Sequence, residues 1–170
     1  MFKKILIANR GVIAIRALRA AKELGYQVAS VYSTIDKDQK HLKLSDEAIC
    51  IGPAAAKDSY LNEAAIISAA ELASADAIYP GYGFLAENSS FAEKCNQSGF
   101  KFVGPDPKVI GIMGDKIKAK ELVESLGVPI VPGYTGRIES KEQVEKITDH
   151  IGYPVTVSYT HLRAHETSLH

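Results

Sequence analysis

Short apolar runs alternate with helically spaced apolar positions along most of this chain. Ile5-Leu6-Ile7-Ala8 reads as a strand buried on both faces, broken by Asn9-Arg10-Gly11. From Ile13 to Leu24 the positions Ile13, Ala17, Ala20, Ala21 and Leu24 recur at helical spacing, and Gly25 stands as a stop. Val28–Tyr32 and Ala48–Ile51 predict a second and a third strand. Asn62 is placed to cap a helix running to Leu72, with Ile66, Ala69 and Ala70 facing inward. Ala77-Ile78-Tyr79 is a fourth strand ending at Pro80-Gly81, a helix is expected over Ser90–Gln97, and Phe100–Val103 gives a fifth strand. This alternation predicts an α/β fold, a Rossmann-like open parallel sheet with helices on both faces. Ligands of such sheets bind at the carboxyl ends of the strands, where Asn9-Arg10-Gly11 and Pro80-Gly81-Tyr82-Gly83 both fall.

The texture changes after Gly104-Pro105. Asp106–Met113 and Lys116–Leu126 read as helices, Val128–Pro132 as an extended segment, and Ser140 as the cap of a helix through His150. Gly152-Tyr153-Pro154-Val155 then opens a new strand that has no periodic continuation. The expected organisation is a Rossmann-like domain over 1–105, linker helices with the start of a second domain over 106–155, and a foreign tail over 156–170.

Composition narrows the function classes. The chain has 170 residues, 46% hydrophobic and 24% charged, with 20 Lys+Arg against 20 Asp+Glu. No basic excess points to nucleic acid, and no apolar run approaches the ~20 positions of a membrane helix. Cys50 and Cys95 lack a C-x-x-C or histidine partner pattern and read as small buried hydrophobes of a reducing, cytoplasmic compartment. His161, His165 and His170 cluster at the carboxyl end, as a metal-binding tail or as sequence foreign to the domain.

Three stretches carry candidate chemistry. Asn9-Arg10-Gly11-Val12-Ile13 has one glycine where a dinucleotide fingerprint needs three, which leaves a polar ligand contact or a plain turn with a solvated arginine. In Pro80-Gly81-Tyr82-Gly83-Phe84-Leu85-Ala86-Glu87-Asn88, glycines let backbone N–H groups approach a ligand. The same stretch also suits simple packing of Tyr82 and Phe84, with Glu87 and Asn88 starting the next helix. Lys116, after Met113-Gly114-Asp115, stands in the first turn of a helix, either as a cation for a nucleotide phosphate aided by helix-terminal amides or as a surface lysine behind an Asp115 cap. No Ser-His-Asp set, H-E-x-x-H, Walker loop or paired catalytic carboxylates can be assembled.

These blocks, with Ser59-Tyr60-Leu61-Asn62 and Phe102-Val103-Gly104-Pro105, occur in one order from about Met1 to Val155. In that order they resemble the amino-terminal part of the biotin carboxylase family, the ATP-grasp component of acetyl-CoA carboxylase. Pyruvate and propionyl-CoA carboxylases carry the same module. The resemblance implies an ATP-dependent ligase of fatty acid biosynthesis that carboxylates biotin, using ATP, Mg2+ or Mn2+, bicarbonate, and biotin on its carrier protein. It also implies a homodimer working with the carrier protein and a carboxyltransferase. It assigns Lys116 to ATP, Tyr82 and Gly83 to the biotin side, and Arg16, Arg19 and Glu23 to dimer contact. Two positions depart from the family pattern, Val12 where a glutamate is usual and Tyr79 where a histidine is frequent. The second ATP lysine, the glycine-rich lid, the metal carboxylates and the catalytic base are expected beyond Val155. In their place Val157–Thr167 resembles a translated sequencing adapter, so the chain alone is expected to be inactive. The alternatives are a non-catalytic assembly or dimerisation module, the amino-terminal domain of another biotin-dependent carboxylase, and an ATP-grasp relative such as carbamoyl-phosphate synthetase.

Overall fold

A computed structural model of the chain describes residues 3–131, 133–134, 138 and 140–155. It divides into two compact units, one over Met1–Gly111 and one beginning at Ile112. Neither the 156–170 tail nor its histidines lie among the described residues.

The first unit is a five-stranded sheet built from β1 (Lys4–Ile7), β2 (Gln27–Tyr32), β3 (Glu47–Cys50), β4 (Ala77–Tyr79) and β5 (Lys101–Phe102). Every pairing is parallel and the order is β3-β2-β1-β4-β5. Successive side chains of a strand point to opposite faces, so each face takes alternate residues. Leu6 and Ala8 join one apolar cluster with Ile66, Ala69 and Ala70 of α3 (Glu63–Leu72) and Phe91, Ala92 and Cys95 of α4 (Ser89–Gln97). Ile5 and Ile7 join the other, with Ala14, Leu18 and Ala21 of α1 (Gly11–Glu23). A central strand covered on both sides is why β1 is an unbroken apolar run, and Leu6 and Ile7 are fully buried. Burial of each such side chain contributes about 2 kcal/mol relative to leaving it in water.

Side-chain oxygens set the helix starts. Asn62 Oδ1 accepts from the Ala65 N–H at 3.1 Å and Asn88 Oδ1 from the Phe91 N–H at 2.9 Å.

Three details differ from expectation. The inward face of α1 is Ala14, Leu18 and Ala21, whereas Leu24 is 73% exposed, because it is the C-cap residue beyond the last turn. Cys50 is exposed, since β3 lies at the sheet edge and its residues alternate between half-buried and exposed, while Cys95 is buried as expected. Tyr153 and Pro154 form a bend, and none of residues 152–155 is in a strand.

The second unit contains α6 (Lys116–Ser125) and α7 (Lys141–Ile151), while α5 (Pro107–Met113) spans the division. Ser140 caps α7 by accepting from the Gln143 N–H at 3.2 Å. None of the α6 residues is buried, and on α7 only Thr148 is.

Candidate functional site

The strand order reverses at β1, whose neighbours β2 and β4 lead outward in opposite directions. In open parallel sheets the crevice at such a reversal is the usual ligand site. Here it is formed by the residues after β1 and after β4, the two stretches singled out from sequence.

Asn9 joins them. It is fully buried, and its Nδ2 donates to the carbonyl oxygens of Pro80 at 2.7 Å and Tyr82 at 3.0 Å. Its Oδ1 accepts from the Arg10 N–H at 2.9 Å. Gly81 has φ +70°, and a Cβ there would lie 2.6 Å from Ile13 Cγ2 and 3.0 Å from Asn9 Nδ2. Only glycine satisfies both the backbone and the close approach.

Arg10 is engaged on one side and solvated on the other, its side chain 42% exposed. Its Nη1 donates to Asp36 Oδ2 at 3.1 Å, and its guanidinium carbon lies 5.2 Å from the Tyr60 ring centroid and 5.5 Å from that of Phe84. The two rings stack with centroids 4.9 Å apart and planes inclined by 13°. Asp36 Oδ2 also accepts from Ser33 Oγ at 2.7 Å and from the Tyr60 hydroxyl at 2.8 Å, while that hydroxyl accepts from the Ser33 N–H at 3.1 Å. Burial opposes ionisation of Asp36, but hydrogen bonds from Ser33, Tyr60 and Arg10 outweigh it and hold the carboxyl below its ordinary value. Burial, reinforced by the Asp36 charge, pushes the Tyr60 phenol up to about 12, so it stays a neutral donor at neutral pH.

Phe84 has φ +42°, a left-handed conformation that costs an aromatic residue about 1–2 kcal/mol. Stacking on Tyr60 beneath the Arg10 guanidinium offsets that cost. The loop between Pro80 and Phe84 is thus held at both ends, and Tyr82 is left 66% exposed at its apex beside exposed Gly83. Tyr82 does not pack against the sheet, Phe84 does so only in part, and Asn88 starts α4.

Asp36 and Tyr60 were not found as site residues from sequence. Asp36 sits in a 3₁₀ turn, Thr34–Asp36, ahead of the short helix α2 (Lys40–Leu44), in a polar stretch without apolar periodicity. Only the S-Y-L-N block hinted at Tyr60. On α2, His41 is also fully buried, with Nε2 3.4 Å from the Val31 carbonyl and Nδ1 without a hydrogen-bond partner. Burial lowers its pKa from the ordinary histidine value.

Arg16, Arg19 and Glu23 are all exposed on α1, away from its Ala14–Leu18–Ala21 face. Val12 is 66% exposed in the first turn of that helix. In the second unit Lys116 is exposed at the start of α6, and Asp115 caps the helix. Asp115 Oδ1 accepts from the N–H groups of Ile117 at 3.0 Å and Lys118 at 3.1 Å. Those amides are committed to Asp115 and are not open to a ligand.

Comparison with known proteins identifies the chain's relatives. The family model for the biotin carboxylase N-terminal domain matches residues 1–110, and that for the carbamoyl-phosphate synthase L chain ATP-binding domain matches 115–161. Biotin carboxylase 1 of Bacillus subtilis is 53% identical over 160 residues, covering 94% of this chain and 36% of the relative. A biotin carboxylase–β,γ-ATP complex from Campylobacter jejuni superposes with a TM-score of 0.86 at 51% identity, covering 91% of this chain and 34% of that one. The biotin carboxylase domain dimer of the Hydrogenobacter thermophilus 2-oxoglutarate carboxylase, with MgADP, ADP and bicarbonate, superposes at 0.84 and 49% identity, covering 91% of this chain and 34% of that one. The chain spans about a third of the length of the relatives it matches.

Proposed function

The chain belongs to the biotin carboxylase N-terminal domain family, and from that premise we propose that it is the amino-terminal part of an ATP-dependent biotin carboxylase. In the proposed reaction bicarbonate oxygen attacks the γ-phosphorus of ATP, releasing ADP and forming carboxyphosphate. Carboxyphosphate breaks down to CO2 and phosphate, and the CO2 is taken up by a biotin ring nitrogen that gives up its proton to the released phosphate. The observation that carries this reading is the match to biotin carboxylases across nearly the whole chain, in a fold whose strand-order reversal brings the Tyr82–Gly83 loop onto Asn9.

Each assigned residue has a physical role in the proposal. Lys116 contributes a positive charge to the ATP phosphates, where catalysis of phosphoryl transfer rests on positioned charge. Tyr82 and the backbone of Gly83 line the biotin side. Arg16, Arg19 and Glu23 form a charged surface for a second subunit; what supports a second subunit at all is the dimer of the Hydrogenobacter relative. The biotin is carried on its carrier protein, a carboxyltransferase uses the product, and the compartment is the cytoplasm. No helix among the described residues is long and apolar enough to cross a membrane.

Magnesium or manganese belongs to the family chemistry, but the described residues do not fit it. No group of three His, Cys, Asp or Glu side chains gathers among them to hold a metal ion.

A chimera tests the proposal, with residues 1–155 of this chain placed ahead of the remaining part of the Bacillus subtilis relative. The chimera is expected to cleave ATP in a bicarbonate- and biotin-dependent manner, and the 170-residue chain alone is expected not to. A folded chimera without turnover, or turnover of free biotin by the chain alone, overturns the reading. The assembly alternative rests on the exposed α1 face, and mixing the chain with an intact relative should then shift it to a heterodimer on size-exclusion chromatography.

A further inference from the structure

The Pro80–Phe84 loop makes its two anchoring contacts with residues far away in sequence. Asn9 holds the Pro80 and Tyr82 carbonyls from the segment after β1. Tyr60 stacks on Phe84 and donates to Asp36, which in turn receives Arg10, the residue after Asn9. The circuit closes, because the Arg10 N–H donates back to Asn9 Oδ1. Between the anchors lie Gly81 and Gly83 at positive φ, followed by Phe84 in the same region. Such backbone outliers persist only where surroundings over-determine them, and they concentrate where a loop presents groups to a ligand.

We propose that Asn9, with the Arg10–Asp36–Tyr60 cluster, is a positioning device that holds the Pro80–Phe84 loop in the form presenting Tyr82 and Gly83 to the biotin ring. The inference rests on the assignment of Tyr82 and Gly83 to the biotin side. Asn9 is suited to the task because its amide supplies two donors to the loop and one acceptor to the Arg10 N–H. Aspartate in its place keeps the shape and the acceptor but turns oxygen toward two carbonyls.

Two measurements test this. In the chimera described above, Asn9→Asp should raise KM for biotin about tenfold or more while KM for ATP stays within about twofold. Tyr60→Phe, which keeps the stacked ring and loses the hydroxyl, should raise the biotin constant by about threefold and serves if Asn9→Asp fails to fold. In the 170-residue chain, hydrogen exchange of the Ala86 and Asn88 amides, which donate to the Gly83 and Leu85 carbonyls, should accelerate in both variants relative to those of β1 and β2. An unchanged biotin constant, a parallel rise of both constants, or unchanged exchange in the loop overturns the proposal. An inactive unsubstituted chimera would instead sink the biotin-side assignment, and the exchange measurement would still decide whether the clamp exists.

Discussion

The two candidate binding features are built in opposite ways. At the carboxyl edge of the sheet, Asn9, Arg10, Asp36, Tyr60 and Phe84 come from four separate stretches and meet through contacts spanning 24 to 73 residues. At the start of α6, Lys116 is placed by its immediate neighbour Asp115, whose bonds reach only two and three residues ahead. The first feature exists only when the domain is folded. The second needs little more than one helical turn, in a helix that buries none of its residues. A long-range clamp fixes geometry, while a local cap fixes only a helix start.

That contrast can be broken by substitution. The largest effect is expected from Asp36→Ala, which strands the Arg10, Ser33 and Tyr60 donors around a buried space. A loss of about 3 kcal/mol in urea unfolding is expected, and a change below about 1 kcal/mol would mean the cluster is not cooperative. Gly81→Ala should cost about 2 kcal/mol, from positive φ and collision with Ile13 and Asn9. Gly127→Ala, at φ +72° with nothing near its Cβ, should cost only about 1 kcal/mol. Equal effects on the two glycines would remove the case for close approach at Gly81. Asp115→Ala should unravel the first turn of α6, read as helicity lost by circular dichroism.

The smallest effects are those of pH. Asp36 titrates lower in the folded than in the unfolded chain, so its contribution is present above the ordinary aspartate pKa and disappears as pH falls below it. The histidine of α2 behaves similarly at higher pH. With His41 held neutral by burial, protonation of the unfolded chain drains stability as pH drops below the ordinary histidine value of about 6.5. His41→Gln should flatten stability below about pH 6.5, and Asp36→Asn should flatten it below about pH 4.

What could be read from sequence follows the same division. Strands and caps were legible because their signals are local: an apolar run for β1, an asparagine before α3, an aspartate before α6. The face of α1 was read one position out of phase because Leu24 was counted into a helix that it only caps. Cys50 was taken as buried because the sequence does not say which strand lies at an edge. Asp36 was missed because two of its partners, Arg10 and Tyr60, lie 26 residues before it and 24 after it. Its own surroundings, Ser33-Thr34-Ile35-Asp36-Lys37-Asp38, look like an ordinary polar loop. The resemblance to biotin carboxylases supplied the chemistry that local pattern could not, and the structure supplied the contacts that the resemblance did not name.

One paired measurement on the chimera bears most directly on the whole account: steady-state constants for ATP and biotin in Lys116→Ala and Asn9→Asp, side by side. The account predicts a crossed result, with the lysine variant weakening ATP and sparing biotin, and the asparagine variant doing the reverse. If both substitutions move the same constant, or neither moves either, the division into a phosphate-facing helix start and a biotin-presenting clamp is wrong.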